Sequence, residues 1–183
     1  MGKKIEEIQK ALKSYEPDIK TYPDDYFAFI TCKEAYNSIK QGNYGIGSIM
    51  VSPSGDIISR GHNQVFKPYF RSDLHAEMVV LNDFEDRYQD VNDMSGYTLY
   101  SSIEPCPMCL ARLITTGVGT VKFVTPDANG GMVQAMDNLP PSWINLSKRQ
   151  SFLQAESSSY VQELVYEIFM FNLLECREKL FSR

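Results

Sequence analysis

The longest hydrophobic run in the sequence is Tyr26–Ile30, far short of the roughly 20 apolar residues that cross a bilayer. A helix spanning a membrane is excluded on length. Positive charge is not in excess either: 18 Lys and Arg against 23 Asp and Glu leave a net charge of -5. That is the wrong sign for a chain whose main task is to grip a polyphosphate backbone, so nucleic acid is an unlikely partner. The first ten residues, MGKKIEEIQK, hold no apolar segment of the kind that directs secretion, and a cytoplasmic location is expected. Cysteine is sparse, with four in 183 residues. Without a secretory context they do not read as a disulfide framework. No repeat, low-complexity tract or Pro/Gly/Ser-rich linker divides the chain.

What is present is an ordinary globular composition, 43% hydrophobic and 22% charged, in a chain long enough to bury about 70% of its unfolded surface. One domain is expected over residues 23–183, preceded by a helical extension over residues 1–22. Ile5, Ile8, Leu12 and Tyr15 recur at helical spacing and predict a helix over 3–15, set apart by Pro17 and Pro23. Phe29, Cys32, Tyr36 and Ile39 mark one face of a helix over 24–41. Cys32 therefore reads as core packing. Residues 45–51 and 57–61 read as a hairpin, and 63–73, with Phe66, Lys67, Tyr69, Phe70 and Arg71, as a loop. A helix is expected over 74–84, then an acidic solvated loop over 83–93. Strands over 97–101 and 120–125 flank a helix over 107–116, and 127–142 is loop-rich. A short strand over 152–155 and one long helix over 159–181 complete an α/β order. Val161, Leu164, Val165, Ile168, Phe169, Leu173 and Leu174 give that last helix an apolar arc wide enough to suggest contact with another subunit.

Cys106 and Cys109 stand three residues apart where Pro105 and Pro107 suit the entry to a helix. Both sulfurs then lie on one face, and the positive end of the helix favours thiolates. Alone, the pair fits a metal site or a redox disulfide equally well. His75 opens another helix two residues ahead of Glu77, and positions i and i+2 point roughly 200° apart, so the two must divide the work. If His75 joins the cysteines, three ligands leave the fourth position of a zinc ion open to water, as catalytic zinc requires. Glu77 is then placed to move that water's proton. A closed structural site would need a fourth ligand, for which His62 is a stronger candidate than Cys32 or Cys176.

His75-Ala76-Glu77 followed by Pro105-Cys106-Pro107-Met108-Cys109 resembles the H-x-E…P-C-x-x-C signature of the zinc-dependent cytidine deaminase superfamily. The resemblance extends from about residue 24 to 181. It takes in the 45–63 hairpin, the run Leu99-Tyr100-Ser101-Ser102-Ile103-Glu104 and the C-terminal helical region. It implies a three-layer α-β-α sandwich around a five-stranded mixed sheet, with both zinc motifs at the starts of neighbouring helices. It implies zinc as cofactor, held by His75, Cys106 and Cys109, and hydrolytic loss of ammonia from a carbon bearing an exocyclic amine. Glu77 is the proton carrier on this reading. Asn63 should hydrogen-bond the base, with Ala76, His62, Glu104 and Pro105 as further substrate contacts. A homodimer or larger assembly is also implied.

Membership of that superfamily fixes a reaction better than a substrate. The wording of Leu99–Cys109 is similar to bacterial guanine deaminases, while the layout also resembles bacterial tRNA adenosine deaminases. The acidic balance and the mixed-charge end Arg177–Arg183 argue against tRNA, and the segment 130–143 matches neither group. The expected substrate is a small amino-bearing nucleobase or nucleoside, as in purine or pyrimidine salvage. A tRNA adenosine or a CMP/dCMP-type nucleotide is the alternative, with Lys67 and Arg71 as the candidate phosphate holders. Aromatic cover for the ring is expected from Phe66–Phe70 or from 126–143.

Overall fold

The computed structural model describes residues 2–183. Helices α1 (Gly2–Ser14) and α2 (Asp25–Lys40) precede a hairpin of β1 (Gly47–Val51) and β2 (Ile57–His62). Helix α3 (Ala76–Arg87), β3 (Thr98–Ile103), α4 (Pro107–Thr116) and β4 (Thr120–Thr125) follow. A 3-10 turn at Met136–Asn138 and α5 (Pro141–Ser147) lead to β5 (Ser151–Gln154), α6 (Ser159–Met170) and α7 (Leu173–Phe181). The sheet order is β2-β1-β3-β4-β5. β1 is antiparallel to β2 and to β3, while β3, β4 and β5 run parallel, which makes the mixed five-stranded sheet.

Strand alternation sends side chains to two separate cores. Met50, Leu99 and Val121 pack with Val80, Leu81 and Phe84 of α3 and Leu113 of α4. On the opposite face Ile103 and Val124 pack with Ala28, Phe29 and Cys32 of α2 and Val161, Val165 and Ile168 of α6. The result is a three-layer sandwich. Ile8 and Leu12 of α1 join the α2–α6 core. Tyr15 ties this N-terminal segment down: its hydroxyl donates to Asp25 and lies 2.7 Å from Ser158 Oγ. The close fit of α2 on β1 is made at Gly47, where a Cβ would come within 2.3 Å of the Thr31 carbonyl.

Three expectations about the elements are corrected. The acidic stretch is not all loop, because α3 continues to Arg87: Phe84 is buried and stacks on Tyr88, and Arg87 pairs with Asp83 one turn back at 2.9 Å. The loop-rich stretch 127–142 contains the 3-10 turn and the start of α5, which has Pro141 in its first turn. The last helix is two helices. Asn172 leaves helical geometry at φ -132°, ψ 16°, and its buried Nδ2 donates to the Asn43 carbonyl at 2.8 Å. Its wide apolar arc is thereby split, with α6 covering the sheet and Leu173 of α7 turned to a cavity beside it.

Candidate active site

β3 and β4 are parallel neighbours, and the chain leaving each of them at its carboxyl end builds a cavity of about 200 Å³, the place where open α/β sheets bind ligands. After β3, Cys106 caps the N-terminus of α4 in an extended conformation (φ -71°, ψ 170°), and Pro107 fills the first helical position. His75 caps α3 in the same way (φ -69°, ψ 159°). Two helix starts thus converge, and their donor atoms meet: His75, Cys106 and Cys109 lie within 4.8 Å of one another, with His75 Nδ1 3.5 Å from Cys106 Sγ. The other two cysteines, Cys32 and Cys176, are buried elsewhere. Burial pushes both thiols up, Cys176 to about 11.

One imidazole and two sulfurs form the donor set that suits zinc, and their spacing matches ligands held at about 2.0–2.3 Å around one ion. Cys106 is prepared as a thiolate. Donation from Cys109, followed by donation from His75, brings its pKa down to about 4 despite burial. Cys109 is driven the other way by sharing that hydrogen bond, and by its own burial. For His75 burial is the largest influence and acts downward, but the hydrogen bond and charge of Cys106 outweigh it, so the net shift is upward.

Glu77 lies in the first turn of α3 and is 3% exposed. Ser101 Oγ donates to its Oε1 at 3.1 Å, and the Cys109 sulfur lies 3.4 Å from its Oε2. Burial, and next the Cys106 charge, raise its pKa. A buried carboxyl held close to His75, Cys106 and Cys109 suits general acid-base work.

The family model for the cytidine and deoxycytidylate deaminase zinc-binding region matches residues 22–125. The chain belongs to this family. It is a hydrolytic deaminase of C–N bonds with zinc as its cofactor. It is 30% identical to the tRNA-specific adenosine deaminase of Aquifex aeolicus over 146 residues, 79% of this chain and 93% of that one. It is 34% identical to the Bacillus subtilis protein of the same name over 116 residues, 63% of this chain and 70% of that one. The fold matches a structure from work on tRNA:A34 deaminases at a TM-score of 0.65 and 20% identity, covering 78% of this chain and 98% of that one. It also matches the guanine deaminase of Nitrosomonas europaea at 0.62 and 21%, covering 88% and 91%.

Around the zinc donors, the deaminase lines its cavity with Tyr44, Ile46, Asn63, Ile103, Phe169 and Leu173 among others. Asn63 is fully buried. Its Oδ1 accepts from the Val65 amide at 3.1 Å, while its Nδ2 has no partner among the described residues. A buried donor without a partner costs about 1–3 kcal/mol, which a ligand in the cavity would relieve. Ala76, the first residue of α3, is wholly buried between His75 and Glu77.

The other expected substrate contacts make the following interactions within the chain. The His62 imidazole is 3.5 Å from Glu34 of α2 and is not part of the cavity wall or of the metal-donor cluster. Glu104 lines the cavity, but its two oxygens accept the amides of Gln134 (2.9 Å) and Asp127 (3.1 Å). The Pro105 carbonyl accepts from Met132 at 2.9 Å. Together they fasten segment 127–134, whose Gly131 packs so closely that a Cβ would lie 2.4 Å from the Glu104 carboxyl. Arg71 forms a two-pronged pair with Asp73 on the surface (2.8 and 2.7 Å). Neither it nor Lys67 reaches the cavity wall. The aromatic walls are Tyr44 and Phe169, with Phe66 packed behind Tyr44 at 5.5 Å between centroids.

Ser101, Tyr44, Asp127 and Arg177 are site residues that sequence reasoning missed. Ser101 shares β3 with Thr98 and Ser102, so nothing in the strand's sequence singled it out. For Arg177 the available signal was the spacing Leu173, Arg177, Leu180, which sets one cation on an apolar helical face.

Proposed function

We propose that the chain removes an amino group from a single nucleobase or nucleoside, with His75, Cys106 and Cys109 holding the zinc, Glu77 moving protons and Asn63 binding the ring. Residues 23–183 form the catalytic domain on this reading, and 1–22 an extension that braces α2 and α6. The unpartnered, fully buried Nδ2 of Asn63, a residue that lines the same cavity as His75 and Cys106, carries the proposal, because it is a donor left for a ligand's acceptor atom.

Zinc with one open position supplies a water made acidic enough to attack at neutral pH. The remaining chemistry falls to the chain. Asn63 donates to an acceptor on the ring and fixes which carbon faces the site. Tyr44 and Phe169 flank the ring, and Ile46, Ile103 and Leu173 keep bulk water from its faces. Glu77 takes a proton from the attacking water and gives it to the ring nitrogen. It then takes the remaining proton of the newly added hydroxyl and passes it to the amine, so that the C–N bond breaks as the carbonyl forms and ammonia leaves. Ser101 holds the carboxyl in register throughout.

The cavity volume and the net charge of -5 disfavour a long polyanionic substrate and support a single base or nucleoside unit. The identity to tRNA-specific adenosine deaminases supports a second reading, an adenosine within tRNA. Ammonia release from guanine, cytosine, adenine, their nucleosides and tRNA, measured between about 50 and 300 mM salt, separates the two. A phosphate-gripping enzyme loses activity steeply with salt and a base deaminase does not. Efficient, salt-sensitive turnover of tRNA alone would overturn the first reading.

Exposed Tyr160, Tyr166, Met170 and Leu174 on α6 and α7 fit a homodimer, and light scattering should return twice the 20.9 kDa chain mass. A single-chain mass at micromolar concentration would contradict it.

A further inference from the structure

The cavity has a graded wall that the reaction above does not use. Leu173, Arg177 and Leu180 stand at i, i+4 and i+7 on α7 and all line it. Exposure rises from 6% at Leu173 to 43% at Leu180, so the helix runs from the interior to the mouth with Arg177 between. Arg177 is the one Lys or Arg in the wall. Among the described residues its guanidinium has no ion-pair or hydrogen-bond partner, although the chain has 23 acidic side chains against 18 Lys and Arg. The Tyr44 hydroxyl is also without a partner, and the Arg177 charge lies close enough to oppose the upward shift that burial gives this phenol. Two of the three carboxylates in the wall are committed elsewhere: Glu104 to backbone amides, and Asp127 to the amides of Asn129 and Gly130 at 3.0 and 3.1 Å. The third, Glu77, belongs to the chemistry. The helix that carries Arg177 is anchored on either side of it. Asn172 binds Asn43 at the start of α7, and at its far end Arg183 stacks 3.5 Å from the Phe70 ring centroid.

We infer that Arg177, with the Tyr44 hydroxyl, forms an oxyanion subsite that selects substrates carrying a phosphate or carboxylate on the side remote from the reacting carbon. A partly desolvated guanidinium with five donors and no protein acceptor is matched by such a group, which it binds in a bidentate manner. The inference rests on the deaminase reading for the identity of the reacting end, while the subsite itself is a matter of binding.

Calorimetric titration of the zinc-loaded protein with inorganic phosphate and, separately, acetate tests binding and tells the two oxyanions apart. The wild type should bind at least one. Arg177→Gln should weaken that binding roughly tenfold or more, the scale of one charge-assisted hydrogen bond, and Arg177→Lys less; Tyr44→Phe should give a smaller loss. In turnover, the preference for a ring bearing the oxyanion over its uncharged counterpart should collapse in Arg177→Gln through KM. Equal binding of both anions by wild type and Arg177→Gln, or an unchanged preference, overturns the inference while any ammonia release leaves the deaminase reading standing. Arg177-dependent anion binding without ammonia release from any substrate leaves the subsite standing and removes the reading of the substrate.

Discussion

Ser101 in the middle of β3 donates its hydroxyl to Glu77 Oε1 across the interface between sheet and helix α3, at 3.1 Å with both side chains buried. A strand residue thereby fixes the orientation of a carboxyl on a neighbouring helix. Ser101→Ala leaves that oxygen without its donor, a loss of about 1–3 kcal/mol for a buried group. We expect kcat to fall roughly tenfold with KM little changed, since the substrate is not touched. Steady-state kinetics check this, and an effect confined to KM would show that Ser101 acts on binding.

Asn63→Asp separates the two ends of the Asn63 side chain. The acceptor that holds the Val65 amide survives, while the unpartnered donor is lost. On the proposed reading kcat/KM falls by about one to two decades, with zinc content and melting temperature close to wild type. Retention of full activity would remove Asn63 from the substrate.

Tyr15 makes stability depend on alkaline pH. Burial, followed by its hydrogen bond to Asp25, raises the phenol to about 12 from an ordinary 10.0. A group with a raised folded pKa contributes stability that is complete below its unfolded pKa and is lost as pH rises through the folded one. The chain should therefore lose stability between pH 10 and about 12, and Tyr15→Phe should remove that portion of the loss while lowering stability at pH 7. Thermal melts across that range decide it. Asp25 acts at the other end. Burial works to raise its carboxyl, but Tyr15 and the Ser158 amide outweigh it and hold it below 3.8. Its contribution is present above the unfolded value and disappears as pH falls through the folded one.

Spacing made the helix starts legible. Pro107 and the hydrophobic periodicity place α4 over the expected residues, and the i, i+3 cysteines fall on its first turn. His75, Cys106, Cys109 and Glu77 were singled out from that spacing together with the H-x-E…P-C-x-x-C resemblance. Long-range pairing was not legible in the same way. Nothing near Asn172 in sequence announces that Asn43, 129 positions earlier, will take its side chain and end α6. Nor does the sequence show that Glu104, expected as a substrate contact, accepts two amides from residues 23 and 30 positions further on. The approach of His62 to Glu34 of α2 was likewise not legible, since the two are far apart in sequence.

The account turns on Glu77 carrying protons beside a zinc ion it does not bind. The direct measurement is ammonia release paired with metal analysis, on wild type and Glu77→Gln. Both proteins should contain about one zinc per chain, and turnover of the best substrate should fall by roughly 10² to 10⁴ or more in the variant, the range for loss of a general acid-base group. A variant that keeps a tenth of wild-type activity, or one that loses its zinc together with its activity, contradicts the account.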